Sequence, residues 1–212
     1  MKAMVCTRLG GPEVLTLQEL PSPPLAADSV RVAVAAAGVN FPDTLMIQGR
    51  YQYRPDPPFV PGAEVAGVIT EVGAKVTQWA VGDRVAAFIP LGGYASEAVV
   101  PAQACLHVPE AMSLTEAGGY ALVYGTVAHA LMQCADLQAG ETLLVLGAAG
   151  GVGLAAVQLG KLMGARVIAA ASSDDKLALA RAHGADEGVN YQTGSLKAAV
   201  KTSWSIRGRE WQ

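Results

Sequence analysis

Residues Leu143-Leu144-Val145-Leu146-Gly147-Ala148-Ala149-Gly150-Gly151-Val152-Gly153 carry the reading of the fold. An apolar run predicts a buried strand over 141–147, and the glycines behind it open a helix predicted over 151–163. Glycine lets the chain turn sharply and lets backbone N–H groups approach a bound anion. The helix N-terminus adds partial positive charge at the same place. A G-x-G-x-x-G pattern between a strand and a helix is the setting of a dinucleotide-binding turn. The frame here is Ala148-Ala149-Gly150-Gly151-Val152-Gly153, with alanine in the first glycine position. Ala149, Gly150, Gly151, Val152 and Gly153 are therefore the candidate cofactor-binding residues of the turn. The plain alternative is an ordinary tight strand-to-helix turn.

Beyond the turn, strand and helix patterns alternate: a strand over 166–172, a helix over 174–183 and a short strand over 188–191. That rhythm predicts a parallel sheet. An NAD site usually offers an acid at the end of the second strand for the ribose 2′-hydroxyl. This chain has Ala170-Ala171-Ser172-Ser173 there, and Asp174 and Asp175 fall in the first turn of the next helix. Ser172, Ser173 and Lys176 instead suit a 2′-phosphate, through hydroxyl and ammonium bonds. NADPH is the expected cofactor, and a solvated helix lysine is the bland reading of Lys176.

Before the turn the pattern is different. Up to about residue 103 the chain reads as β, with strands predicted at 30–35, 64–72, 84–89 and 95–100. Turn residues separate them, which suits a small, partly open barrel. The loop at 50–61, with four prolines and two tyrosines, is a place where a site can sit. Ser113, with Glu116 three residues on, predicts a capping box. Its helix is expected to run through Ala121 toward Gly125 and Thr126, with a second continuing to about Cys134.

Half of the 212 residues are hydrophobic and 16% are charged, enough for packed cores. The net charge is −3, with no basic patch for nucleic acid and no polybasic run for a membrane surface. The most apolar stretch, 117–132, is broken by glycines and His129, so no membrane insertion is expected. Cys6, Cys105 and Cys134 are far apart and odd in number, as expected of reduced thiols in a cytoplasmic protein without a signal peptide.

Five pieces of the chain add up to a resemblance. They are Ala37-Gly38-Val39-Asn40-Phe41-Pro42-Asp43, Pro61-Gly62-Ala63-Glu64-Val65-Ala66-Gly67-Val68, Val81-Gly82-Asp83-Arg84-Val85, Tyr124-Gly125-Thr126-Val127 and the turn at 148–153. With them the chain resembles the zinc-independent quinone oxidoreductase (zeta-crystallin-like) branch of the medium-chain dehydrogenase/reductase superfamily. The resemblance implies an α/β protein with a GroES-like, partly open β-barrel over 1–122 and an incomplete Rossmann domain over 123–201. It implies Asn40, Tyr51 and Thr126 as polar residues facing nicotinamide and substrate, with Asp43 in the same motif as a brace for Asn40. It assigns Lys176 and Tyr191 to the 2′-phosphate and adenosine, with Ser172 or Ser173 nearby. Zinc relatives have Cys where this chain has Asn40, and His-Glu where it has Ala63-Glu64. No metal is expected. Turn or cap chemistry is the bland reading of Asn40 and Thr126, and a packed loop aromatic that of Tyr51.

The implied activity is hydride transfer from NADPH to a quinone or enone. An enoyl-thioester reductase and a non-catalytic, NADPH-binding or structural protein are the alternatives. The resemblance stops at about Lys201, and residues 202–212 form a tail with neither helical nor strand periodicity, as a frameshift, a damaged gene or an alternative reading would leave; a short functional C-terminus is the bland reading. A sheet cut off there is expected to bare an apolar edge at Leu143-Leu144-Val145-Leu146 and to lose part of the nicotinamide's walls, and much activity with them. A homodimer is expected only of a full-length form.

Overall fold

The computed structural model describes residues 1–193. The tail at 202–212 and the end of the 123–201 domain lie outside the described residues. The chain divides into two compact units, Met1–Leu122 and the part from Val123 onward.

The first unit opens with an antiparallel pair, β1 (Lys2–Cys6) and β2 (Leu15–Glu19). Five further strands follow: β3 (Ser29–Ala37), β4 (Glu64–Val72), β5 (Arg84–Phe88), β6 (Glu97–Pro101) and β7 (Cys105–His107). They make one antiparallel sheet in the order β6-β3-β4-β5-β7. Alternation along the strands sends Val30, Val32, Val65, Ile69, Val85 and Val100 into one core. Arg31, between two of those valines, pairs with Glu71 at 2.9 Å. The register of β3 on β4 slips between Val34 and Ala36, a bulge. Gly67 lies opposite Val34, and a Cβ there would stand 2.0 Å from the Ala33 carbonyl oxygen. Only glycine fits so close an approach of two backbones.

Three helices complete this region: α1 (Phe41–Ile47), α2 (Leu114–Ala117) and α3 (Ala121–Ala128), with the division between the units falling inside α3. The expected capping box is present. The Ser113 hydroxyl accepts the Glu116 N–H at 3.2 Å, and the Glu116 carboxylate accepts the Ser113 N–H at 2.9 Å.

Among the described residues the second unit has a three-stranded parallel sheet in the order β10-β9-β8, from β8 (Thr142–Leu146), β9 (Arg166–Ala171) and β10 (Glu187–Asn190). Between them run α4 (Gly151–Leu162) and α5 (Asp174–Ala182). This is the 3-2-1 half of a doubly wound sheet. Val167, Ile168, Ala169, Ala170 and Ala171 are all buried, as a strand covered on both faces requires. Among the described residues β8 pairs only with β9, and Leu144 and Leu146 are exposed.

The structure corrects the sequence reading in several places. The region read as wholly β contains α1, whose proline lies in the first turn, where its missing N–H costs nothing. The strands β1, β2 and β7 were not anticipated. The helix from Ser113 stops at Ala117 instead of running on. Gly118 packs there against Ala36, where a Cβ would come within 2.7 Å. α3 starts afresh at Ala121, and the expected second helix to Cys134 is a wider π-helical continuation over His129–Cys134.

Asp186 staples the end of the second unit. Its Oδ2 accepts the Val167 N–H at 2.8 Å, and its other oxygen pairs with Lys161. Partial burial raises its pKa, but the Lys161 bond, the Val167 N–H and the charges of Lys161 and Arg166 outweigh that and leave it below the ordinary aspartate value. A depressed folded pKa stabilises the fold above the unfolded value and ceases to do so as pH falls through the folded one. Asp186→Asn should therefore unfold more readily at pH 7, by roughly 0.5–1 kcal/mol. Thermal unfolding as a function of pH should show that gap closing below the ordinary aspartate pKa of about 3.9.

Candidate functional site

In the first unit, the motif at 37–43 ends in the N-terminus of α1. Asn40 is the residue preceding that helix, in extended conformation. Its backbone N–H donates to Asp43 Oδ2 at 2.9 Å, and its side-chain Nδ2 donates to Glu64 Oε1 at 2.7 Å. The motif at 61–68 supplies the acceptor. Glu64 begins β4, is 1% exposed, and takes the Leu122 N–H on its other oxygen at 2.9 Å.

Asp43 is 3% exposed. Its Oδ2 also accepts the Tyr94 hydroxyl at 2.9 Å, while Oδ1 has no hydrogen-bond partner among the described residues. Burial, then the charge and hydrogen bond of Asp43 and the charge of Glu64, push the Tyr94 phenol above the usual tyrosine range. It therefore stays a protonated donor at neutral pH.

Asn40 and Asp43 are thus brought together, and Asp43 holds the backbone of Asn40. Tyr51 is half-buried and packs on the cluster of Cys6, Val14, Met46, Ile47 and Phe59, while its carbonyl accepts from Arg54 Nε at 2.9 Å. Thr126 is an exposed residue of α3 on the second unit's side of the division. Glu64 and Tyr94 were not picked as site residues from the sequence. Glu64 carried a signal all the same: an acid inside the apolar run Ala63-Glu64-Val65-Ala66 has to find buried donors.

In the second unit the glycine-rich turn joins β8 to α4. The left-handed residue is Gly147, at φ 61°, one position before the six-residue frame. Ala148, in the frame's first position, is fully buried, and its N–H donates to the Ala170 carbonyl at 3.1 Å. The sharp turn thus falls to Gly147, and a methyl group at 148 fills the core. Gly150 caps α4, and Gly151 and Val152 are exposed in its first turn. A Cβ on Gly151 would meet nothing nearer than 3.9 Å, so the space over the turn is open. Gly153 faces inward, where a Cβ would lie 2.4 Å from the Gly147 carbonyl oxygen. Ala149 is half-buried in the same turn.

At the end of β9, Lys176 Nζ donates to Ser172 Oγ at 2.8 Å. Ser173 is the N-cap of α5, its hydroxyl accepting the Lys176 N–H at 3.4 Å, so it also does local structural work. Asp174 and Asp175 are first-turn residues, and Asp174 accepts from Asn190 Nδ2 at 3.0 Å. Tyr191 follows β10, and its N–H donates to the Ala171 carbonyl at 3.2 Å, which brings it beside Ser172. The Lys176 ammonium and the Ser172 hydroxyl meet here, with the backbone of Tyr191 alongside and no acid in the last residues of the strand. A dinucleotide phosphate fits these donors and the open glycine turn.

Among the described residues, no three His, Cys, Asp or Glu side chains are grouped to hold a metal ion. None of the described helices is long and apolar enough to cross a membrane. Cys6 and Cys105 are buried thiols and Cys134 is an exposed one.

An antiparallel sheet with the features above, followed by half of a doubly wound parallel sheet with a glycine-rich turn, defines a dehydrogenase-type architecture. Two family profiles match: the alcohol dehydrogenase GroES-like domain over 26–110 and the zinc-binding dehydrogenase over 151–208, the latter running past Lys201. The chain is 43% identical over 201 residues to quinone oxidoreductase-like protein 2 of Rattus norvegicus, covering 94% of this chain and 57% of that one. The quinone oxidoreductase of Thermus thermophilus, solved also in complex with NADPH, matches with a TM-score of 0.82 and 42% identity, over 98% of this chain and 64% of that one. The CurK enoyl reductase matches with a TM-score of 0.87 and 29% identity, over 97% and 64%. The chain belongs to the medium-chain dehydrogenase/reductase superfamily, in its zinc-independent quinone oxidoreductase branch. It spans less than two thirds of the length of these relatives.

Gly153→Ala tests the close approach of α4 to the turn. The methyl group meets backbone, which cannot swing aside, so the variant should lose about 2 kcal/mol of stability. Thermal unfolding measures the loss, and an unchanged melting curve would contradict the packing described.

Proposed function

We propose that this chain carries the substrate side and the adenosine–pyrophosphate side of an NADPH-dependent reductase that passes hydride to a quinone or similar conjugated carbonyl. The observation that carries the cofactor half is the Lys176–Ser172 contact at an acid-free strand end. In this reading the amides of the exposed residues Gly151 and Val152 take the pyrophosphate and Ala149, Gly150 and Gly153 shape the turn. Lys176 and Ser172 take the 2′-phosphate, with Ser173 beside them, and Tyr191 lies along the adenosine. Bound there, NADPH supplies the hydride. Asn40 and Tyr51 are donors for the acceptor's oxygen as it gains charge, and Thr126, in the second unit, is a polar residue for the nicotinamide. Asp43 is a brace, since its Oδ2 accepts from both the Asn40 backbone and the Tyr94 hydroxyl and the side chain is buried. So read, the protein is a cytoplasmic enzyme of small molecules that acts without metal, nucleic acid or membrane insertion.

Likeness to an enoyl reductase favours one second reading, reduction of an enoyl thioester. NADPH oxidation followed with a small quinone and with a crotonyl thioester separates the two. Turnover with the quinone is expected, and turnover on the thioester alone would overturn the choice. Saturable NADPH binding without turnover on either would favour a binding protein.

Coenzyme preference is testable without turnover. Lys176→Ala should weaken NADPH by about tenfold or more, the worth of a charge-assisted hydrogen bond, and leave NADH nearly unchanged. Titration calorimetry measures both, and equal losses would remove the 2′-phosphate assignment.

A further inference from the structure

Glu64 is a buried acid with no ion pair among the described residues. It is held instead by two N–H donors, one on each oxygen: Asn40 Nδ2 at 2.7 Å and Leu122 N–H at 2.9 Å. The chain leaves room for it. A Cβ on Gly38 would stand 2.2 Å from Oε1, so that motif glycine is required by the acid. A carboxylate can only accept, and the nitrogen of an amide can only donate. The nitrogen end of Asn40 must therefore face Glu64. Among the described residues the second Nδ2 hydrogen makes no bond.

We propose that Glu64 is a positioning residue that sets the orientation of the Asn40 amide. This rests on the reading above that Asn40 meets the acceptor. One oxygen of Glu64 holds the amide nitrogen while the other is pinned by the first turn of α3. Asp43 holds the backbone N–H of Asn40 independently. Side chain and main chain of Asn40 are thus fixed by two separate acids, and the remaining amide hydrogen is left for a ligand.

Glutamine has nearly the same shape as glutamate but only one accepting oxygen. In Glu64→Gln that oxygen serves Asn40 or Leu122, and the other donor is left facing an NH₂ group. Adding Asn40→Asp reverses the polarity of the pair. The new carboxylate at position 40 accepts from the new amide at position 64, whose oxygen still accepts from Leu122.

The test is a double-mutant cycle on the 212-residue chain, read by thermal unfolding. Glu64→Gln and Asn40→Asp should each lower the midpoint, and the double variant should recover at least half of the combined loss. Additive losses would overturn the proposal. Should Glu64→Gln alone fail to fold, folding of the double variant gives the same support, and its failure the same refutation. The side-chain amide resonances of Asn40 provide a second readout. One hydrogen should be protected from exchange in the parent, as should the Leu122 N–H; in Glu64→Gln one of the two should lose protection, and unchanged protection of both would count against the proposal. Both readouts are independent of turnover. Where the parent turns over, Glu64→Gln should lower kcat about tenfold or more with unchanged NADPH affinity, the cost of a misaimed donor. A chain that passes the cycle but reduces no acceptor would sink the catalytic reading and leave the placement of Asn40 by Glu64 standing.

Discussion

The buried carboxylate of Glu64 must be met by donors inside the first unit. An acid taken out of water without donors would cost several kcal/mol. Meeting that demand ties three segments to one point: the start of β4, the residue before α1 and the first turn of α3. Gly38 makes room for the acid, Gly67 lets β4 pass the bulge in β3, and Gly118 lets the end of α2 lie on Ala36. The motifs at 37–43 and 61–68 are two halves of one hydrogen-bonded arrangement.

The second unit is organised by closeness instead of charge. Ala169, Ala170 and Ala171 line β9, and Gly153 and Gly160 sit where α4 approaches the sheet. A Cβ on Gly160 would fall 2.6 Å from Leu143 Cδ2. Small residues let a helix come near the sheet while the start of that helix stays open over the turn. The same economy of space that packs the core leaves Gly151 and Val152 exposed at the start of α4.

Several residues have local work beside any role toward a ligand. Ser173 caps α5, Asp174 is bonded to Asn190, and Asp43 is shared between Asn40 and Tyr94. Tyr51 belongs to a hydrophobic cluster as well as to the loop where a site was expected. Polar residues near a site are commonly committed to holding one another, and only the bonds left over can face a substrate.

The sequence by itself determined the order of strands and helices in the second unit to within a residue or two, the long β4, and the capping box at Ser113. These are local signals: apolar periodicity, glycine behind a strand, and an acid three residues after a serine. It also marked the glycine turn, Ser172 and Lys176, by their places at the ends of two strands, whereas Asn40 and Asp43 were marked by the resemblance of the motif at 37–43. Only the tertiary structure decided what those residues touch. The short α1, the arrest of α2 at Ala117 and the pairing of β1 with β2 depend on neighbours distant in the chain. The shift of the turn to Gly147 depends on a core that has room for a methyl group at Ala148. The role of Glu64 depends on Asn40, 24 residues before it, and on Leu122, 58 residues after it. Periodicity reports which way a side chain faces, but it does not report which donor waits there.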